Sequence, residues 1–188
     1  FKGGDKPLKL WVSDQYTRAA PGGTGAAKCG GNYAASLIAQ AEATEHGCDQ
    51  VVFLDAAEHR WIEELGGMNL FFVMNDGSIV TPPLTGTILP GITRTSIIEI
   101  ARELGMTVSE APYALEQWRA DAQSGKLSEA FACGTAAVIA SIGEIVSSSG
   151  SFRLNNAHKS PVAKQLKEQL VGVQRGSIAD SRGWVRKV

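Results

Sequence analysis

The strongest constraint on this fold is the irregular alternation of strand-like and helix-like segments along the chain. Helices separate some of the strands, but Asn75-Asp76-Gly77 joins two strands directly and is a strong hairpin signal. Such a mixture favours an α+β fold, a mixed-sheet pseudo-barrel with flanking helices, over a regular doubly wound fold. The predicted strands are 9–13, 50–54, 60–75, 78–82 and a pair within 129–146 that turns at Gly134, and the predicted helices run from Asn32 to Gly47, up to Gly105, over 115–124 and from Pro161 onward.

Composition predicts one domain and disfavours several classes of partner. The 188 residues are 44% hydrophobic, which is enough for one compact core and too little for two full-sized domains. A formal net charge of −1 provides no basic field of the kind that attracts nucleic acid or an anionic membrane. The longest apolar run, at residues 130–142, is too short to span a bilayer. We therefore predict neither a nucleic-acid nor a membrane partner.

Cysteine and histidine usage predicts a reducing compartment and no metal. Cys29, Cys48 and Cys133 are odd in number and scattered, which argues against a disulfide framework and a structural zinc site. The three histidines lack metal-ligand spacing. A cytoplasmic setting is expected. Because the chain opens at Phe1 and enters a strand pattern almost at once, it reads as a segment of a longer protein.

A single lysine, Lys28, lies among small residues in the stretch PGGTGAAKCGGNYAAS. A phosphate-binding P-loop would need glycine before this lysine and serine or threonine after it, where Ala27 and Cys29 stand. A dinucleotide-binding fingerprint also fails, because Lys28 occupies the position of its third glycine. A lysine flanked by small residues can be approached by a planar ring and can form a Schiff base with an aldehyde, as pyridoxal phosphate requires. A solvated loop lysine remains the alternative.

Adjacent glutamates in WIEELGGMNLFF form the second candidate site. In a strand, Glu63 and Glu64 point to opposite faces, so that one can face solvent while the other faces the interior. An inward carboxylate needs a partner, and a protonated pyridine nitrogen is one. Two solvated glutamates on an edge strand are the alternative.

Two further stretches are suited to bind anions. Pro90-Gly91 leads into a helix whose first turn carries Ile92 and Thr93, and free amides at a helix start attract anions. A turn at Gly134-Thr135-Ala136 exposes backbone amides and one hydroxyl, which suits a phosphate or a carboxylate. Each stretch taken singly is also compatible with an ordinary helix start or a tight turn.

Taken together and in this order, these stretches resemble the branched-chain amino acid aminotransferases, which are pyridoxal-phosphate enzymes of fold type IV. The resemblance implies that residues 1–188 are the cofactor-binding large domain and that the N-terminal small domain of the family is absent from this chain. It covers nearly the whole chain and is carried by GGTGAAKCGGNYAAS, QVVFLD, IEELGGMNLFFV, TPPLTGTILPGITR, EAFACGTAAV and VGVQRGSIADSRGW.

The resemblance implies roles around the cofactor ring for four residues. Lys28 would be the Schiff-base lysine and would shuttle the proton between the substrate Cα and the cofactor. Tyr33 would lie near the phenolic oxygen of the cofactor. Glu64 would pair with its pyridine nitrogen, and the side chain of Leu89 would pack on the ring.

The resemblance also implies where the phosphate and the substrate bind. The amides of Ile92 and Thr93 would hold the phosphate, with a contribution from Thr135. The Thr135-Ala136 turn would receive the substrate carboxylate through its amides. The arginine that contacts the phosphate in the family, and part of the side-chain pocket, belong to the small domain.

The implied activity is transfer of the amino group of leucine, isoleucine or valine to 2-oxoglutarate by a homodimer. A D-amino acid aminotransferase or an aminodeoxychorismate lyase of the same fold would share the lysine and the glutamate. A third hypothesis is an inactive isolated domain that acts only as a binding or interaction module, because the small domain is missing. A P-loop nucleotide-binding protein is the weakest alternative.

Overall fold

A computed structural model describes residues 6–155 and 157–186. Residues 1–5, on which the expectation of a longer protein rests, lie outside the described part of the chain. In chain order the elements are β1 (Leu8–Ser13), α1 (Gly30–Glu45), β2 (Gln50–Leu54), β3 (Ile62–Leu65), β4 (Asn69–Met74), β5 (Ile79–Thr81), α2 (Ile92–Glu103), β6 (Val108–Glu110), α3 (Leu115–Ser124), β7 (Leu127–Gly134), β8 (Val138–Ser147), β9 (Gly150–Arg153) and α4 (Pro161–Arg175).

The strands of the described residues form one mixed sheet that closes on itself. Neighbouring strands follow the order β3-β2-β1-β8-β7-β4, and β3 also pairs with β4, which closes the ring. β1 is parallel to β2 and β8, whereas the remaining pairs of the ring are antiparallel. β5 and β6 extend the sheet from β4, and β9 pairs with β8. The predicted mixed-sheet pseudo-barrel with flanking helices is confirmed.

Helices cover the outer surface of the barrel. On one side α1 packs against β1 and β2, with Ala39 in a cluster that includes Trp11. On another side α2 and α4 pack against β4 and β7, where Leu166 joins Phe71. Trp118 of α3 is fully buried against the main core. Within the described ranges, none of the helices has both the length and the apolar character of a membrane-spanning helix.

The prediction of one continuous strand over residues 60–75 was wrong. The chain turns at residues 66–68 and returns as β4, so that Glu64 lies opposite Asn69 in an antiparallel pair. Two consecutive glycines, Gly66 and Gly67, are poor strand formers and permit this reversal. The hairpin at residues 75–77 is confirmed, since β4 and β5 pair antiparallel on either side of it.

Helix α1 buries a different face from the one that the sequence pattern indicates. The pattern places Tyr33 and Leu37 on one helix face, with Ile38 beside Leu37, yet the side chains of Leu37 and Ile38 are 69% and 54% exposed. Ala39 and Ala43 are fully buried instead. Small side chains let the helix backbone approach the sheet closely, and the larger apolar side chains are left on the surface.

Candidate functional site

The four stretches singled out in the sequence converge at one end of the barrel. β1 leads into the segment 14–29, called here the Lys28 loop, and the N–H of Ala26 in this loop donates to the carbonyl of Gly86 at 3.0 Å. The segment 82–91, which connects β5 to α2, in turn contacts Glu64 of β3. At the end of β7, Gly134 lies against the β3–β4 turn, where an added Cβ would be 3.2 Å from the Met68 side chain. The closed sheet therefore brings all four stretches together.

Asn32 holds the Lys28 loop against the start of α1. The sequence predicts that Asn32 caps this helix, but the helix begins at Gly30 with Cys29 as its N-cap. The Asn32 amide donates to the carbonyls of Thr24 and Ala27, both at 2.8 Å, and its oxygen accepts from the Thr24 hydroxyl at 2.7 Å. Loop carbonyls next to a buried side chain need donors, and Asn32 supplies them from within the first helical turn. The prediction was wrong because this contact is tertiary.

The surroundings of Lys28 leave room for a ligand. Lys28 is exposed, and a Cβ added at Gly30 or Gly31 would meet no heavy atom within 4 Å. Tyr33, at the end of the first turn of α1, is 37% exposed. The amine is therefore accessible, and the two glycines that follow it keep the adjacent space open.

Glu64 is a buried carboxylate with an ion pair and a backbone hydrogen bond on one oxygen. Its Oε1 lies 2.8 Å from Nη1 of Arg18 and accepts from the N–H of Leu89 at 2.9 Å. Its Oε2 has a longer contact, 3.5 Å, with the amide nitrogen of Asn69. Burial raises the pKa of Glu64 to about 7, and the nearby charge of Arg18 opposes that rise. Oε2 is thus the oxygen with spare capacity to accept a further donor.

The expectation that one of the two glutamates can face solvent was wrong. Glu63 is 6% exposed and Glu64 is 2% exposed, and every residue of β3 is buried. The strand is covered on both faces because the segment 82–91 packs over it, with the hydroxyl of Thr87 on Glu63 and the amide of Leu89 on Glu64.

Arg18 is the site residue that the sequence analysis missed. It is 5% exposed, and its Nη1 donates to the carbonyl of Thr87 at 2.9 Å as well as pairing with Glu64. A weaker contact of 3.4 Å reaches the carbonyl of Gly25. A charged residue placed shortly after an apolar strand and before the glycine-rich stretch is the only signal in the sequence, and it does not identify the partner.

The start of α2 is uncapped and closely packed against Asn69. No side chain caps the first turn of this helix, and Ile92 is 83% exposed while Thr93 is partly exposed. Asn69 donates to the carbonyl of Leu89 at 3.0 Å, and a Cβ on Gly91 would lie 2.3 Å from its side-chain oxygen. Glycine is therefore required at position 91, and the free amides of the first turn are positioned for an anion.

The turn between β7 and β8 is strained and exposed. Thr135 and Ala136 are both exposed, and Val138 has a positive φ of 58°, an uncommon backbone conformation for a β-branched residue. Strain of this kind persists only where the surrounding structure imposes it. Cys133, just before the turn, lies opposite Asn69 in the sheet, which places the turn near the start of α2.

The arrangement combines three chemical properties at one end of the barrel. It has an accessible primary amine, a buried carboxyl group that can hold a proton near neutral pH, and a helix start with free amides. These properties suit a planar ligand that carries an aldehyde, a basic ring atom and an anionic group.

Comparison with known proteins gives a consistent family assignment. Residues 3–145 match the family described as Amino-transferase class IV. The branched-chain-amino-acid aminotransferase of Mycobacterium tuberculosis (strain CDC 1551 / Oshkosh) is 51% identical over 191 residues, which cover 100% of this chain and 52% of that protein.

Solved structures agree in fold. The branched-chain amino acid aminotransferase from Escherichia coli has a TM-score of 0.82 and 35% identity, covering 96% of this chain and 57% of that one. The enzyme of the same name from T.th., complexed with N-(5'-phosphopyridoxyl)-L-glutamate, has a TM-score of 0.82 and 31% identity, covering 97% of this chain and 56% of that one. The chain thus spans about half the length of the relatives it matches.

Proposed function

Because the chain belongs to the class IV aminotransferases, we propose that it is the cofactor-binding large domain of a branched-chain amino acid aminotransferase. The family match confirms the resemblance carried by the sequence motifs. The proposed reaction moves the amino group of leucine, isoleucine or valine to 2-oxoglutarate, with pyridoxal phosphate bound to Lys28. The observation that carries this proposal is the convergence of the Lys28 loop, Glu64 and the uncapped start of α2 at one end of the barrel.

The residues present fit pyridoxal phosphate. Open space at Gly30 and Gly31 lies beside the amine, Oε2 of Glu64 has spare hydrogen-bonding capacity, and the first turn of α2 offers amides to a phosphate. When bound, the cofactor supplies an aldehyde that takes up the amino group and a ring that withdraws electrons from the substrate Cα.

Lys28 and Glu64 would do the proton chemistry. Lys28 would hold the cofactor and then move a proton at Nζ, a general-base contribution of about 10²–10⁴ in rate. Glu64 would hold a proton on the pyridine nitrogen. Arg18 supports this role, because its positive charge 2.8 Å from Oε1 favours the carboxylate form of Glu64 against the cost of burial.

Neighbouring residues would bind and orient. The amides of Ile92 and Thr93 would hold the phosphate at the positive end of the α2 dipole, with the hydroxyl of Thr135 beside them. The amides of the Thr135-Ala136 turn would receive the substrate carboxylate. Tyr33 would lie near the phenolic oxygen of the cofactor, and the side chain of Leu89 would pack on its ring.

We further propose a homodimer in a cytoplasmic setting. The exposed apolar side chains of Leu37 and Ile38 on α1 support a covered surface next to the site. The three cysteines, Cys29, Cys48 and Cys133, are free thiols, as a reducing compartment favours.

Covalent capture of the cofactor tests the proposal directly. The protein is incubated with pyridoxal phosphate, reduced with borohydride and digested, and the peptides are weighed by mass spectrometry. A cofactor mass increment is expected on the peptide that contains Lys28. Lys28→Ala should abolish the increment and lower amino transfer from leucine to 2-oxoglutarate by at least about 10²-fold.

Lys126 provides the matched control. Its side chain is 60% exposed, and it precedes β7 at the end of the strand opposite to Gly134. Lys126→Ala should leave both capture and transfer unchanged. Full activity in Lys28→Ala would overturn the proposal. Rapid turnover of D-alanine without L-leucine would indicate a D-amino acid aminotransferase, and capture without turnover of any amino acid would indicate a binding module.

A further inference from the structure

Glu63 is a buried carboxyl group to which the proposed chemistry gives no role. It is 6% exposed, and its Oε1 accepts from the hydroxyl of Thr87 at 2.5 Å. Its Oε2 is buried and has no hydrogen-bond partner among the described residues. A buried carboxyl group that is only half satisfied costs folding free energy, so its presence requires an explanation.

Thr87, the partner of Glu63, contacts three separate parts of the site. Its hydroxyl bonds Glu63 and also lies 3.0 Å from the hydroxyl of Thr85. Its carbonyl accepts from Nη1 of Arg18 at 2.9 Å. Its backbone packs directly on Gly25, where an added Cβ would lie 2.4–2.5 Å from the Thr87 Cα, C and O atoms. The position of Thr87 therefore determines where Arg18 and Gly25 lie.

From these contacts the effect of Thr87 reaches both functional groups. Nη1 of Arg18, which Thr87 orients, is the same atom that pairs with Glu64 at 2.8 Å. Gly25 belongs to the Lys28 loop, and the next residue, Ala26, bonds the carbonyl of Gly86 beside Thr87. Thr87 thus connects the buried carboxylate on one side with the loop that carries the amine on the other.

We propose that Glu63 is a positioning residue that, through Thr87, fixes the Lys28 loop and the Arg18–Glu64 pair relative to each other. The inference rests on the proposed function, because Lys28 and Glu64 are the groups that it holds in place. Asp55, the nearest other carboxylate to bear on Glu63, accepts from the backbone N–H groups of residues 57, 58, 60 and 61 and caps its own loop. The hydroxyl of Thr87 is therefore the contact through which Glu63 acts.

Limited trypsin digestion of the cofactor-free protein measures the position of the loop without using activity. Lys28 is exposed, and cleavage after it reports how often the loop leaves its seat on Thr87. Glu63→Leu and Thr87→Val each remove the hydrogen bond at nearly constant volume, and cleavage after Lys28 should rise about tenfold. Cleavage after Lys126, also exposed, should stay the same and serves as the internal control.

Conservative variants separate positioning from general stability. Glu63→Gln keeps an acceptor for Thr87, and Thr87→Ser keeps the donor, so both should cleave after Lys28 within about twofold of wild type. The rate of alkylation of Cys29, which is partly exposed next to Lys28, should follow the same order, whereas Cys48 and Cys133 are buried. If Glu63→Leu is insoluble, the Thr87→Val and Thr87→Ser pair gives the same comparison.

The outcomes are decisive in both directions. Unchanged cleavage after Lys28 in both Glu63→Leu and Thr87→Val overturns the inference, and so does an equal rise after Lys28 and Lys126. In the cofactor-loaded protein, Glu63→Leu should reduce capture by Lys28 at limiting pyridoxal phosphate. Failure of the capture experiment with wild type would reject the proposed function, while the digestion of the cofactor-free protein would still decide the role of Glu63.

Discussion

Glu64 is the residue at which burial and charge oppose each other most directly. Burial raises its pKa to about 7, whereas the guanidinium of Arg18 at 2.8 Å lowers it. A buried pair of this kind is weak evidence for stability, because desolvation offsets much of the attraction. We infer that the pair is retained for the state of the carboxylate, which the chemistry requires.

The pH dependence of stability tests this view of Glu64. Its folded-state pKa of about 7 lies above the ordinary 4.5, so the folded protein binds this proton more tightly than the unfolded chain. The resulting stabilisation is fully present below pH 4.5 and is lost as pH rises through 7, by about 3 kcal/mol at most. Glu64→Gln should therefore flatten the decline in unfolding free energy between about pH 5 and about pH 8, as measured by urea unfolding of the cofactor-free protein.

Glu168 on α4 is a suitable control for that measurement. Its side chain is 66% exposed, and Glu168→Gln should reproduce the wild-type decline in stability across the same pH range. Identical pH profiles for wild type and Glu64→Gln would show that the buried carboxyl group does not titrate in this range.

At the scale of elements, the Lys28 loop and the start of α1 use glycine for two different reasons. Gly25 is required by packing, because a side chain there would overlap the backbone of Thr87. Gly30 and Gly31 face open space, so packing within the described part of the chain does not require them. Glycine at a helix start also lowers helix stability relative to alanine. We infer that the second pair is retained to leave room for the cofactor.

Two alanine substitutions distinguish these reasons. Gly25→Ala should destabilise the cofactor-free protein by about 1–3 kcal/mol, because the loop must move away from Thr87. Gly30→Ala should be neutral or stabilising by up to about 1 kcal/mol in thermal unfolding. Both should weaken binding of pyridoxal phosphate in a titration, the first by displacing the loop and the second by filling space next to Lys28. Wild-type affinity in Gly30→Ala would argue against the second explanation.

Element boundaries show where local patterns suffice and where they do not. The helix predicted over 115–124 and the hairpin at 75–77 are both present, because periodicity and turn chemistry act over a few residues. β6 and β9 were not predicted, since strands of three and four residues carry little pattern and depend on pairing with β5 and β8.

At the scale of the whole molecule, the exposed apolar face of α1 bears on assembly. Leu37 and Ile38 lie on the helix that starts next to Lys28, so a subunit that covers them would lie beside the site. This is the surface that supports the proposed homodimer.

A charge on this face should separate the subunits. Leu37→Glu is expected to reduce the molar mass measured by light scattering from that of a dimer to that of a monomer, because a buried unpaired carboxylate is costly. Ala120→Glu, at an exposed position of α3, should leave the mass at the wild-type value. A wild-type protein that is monomeric at all concentrations, or an unchanged mass for Leu37→Glu, would exclude this face as the dimer interface.

The sequence by itself determined the fold class, the family resemblance and the motifs that contain Lys28 and Glu64, because turn residues, apolar periodicity and ordered motifs are local properties. Only the tertiary structure decided which side chains meet. It paired Arg18 with Glu64 and seated Glu63 on Thr87. It also supplied α4 with a cap from Glu129 of β7, which accepts from the amides at the start of that helix at 3.0 Å. The physical reason is that burial and partner choice depend on which distant segments the closed barrel brings into contact.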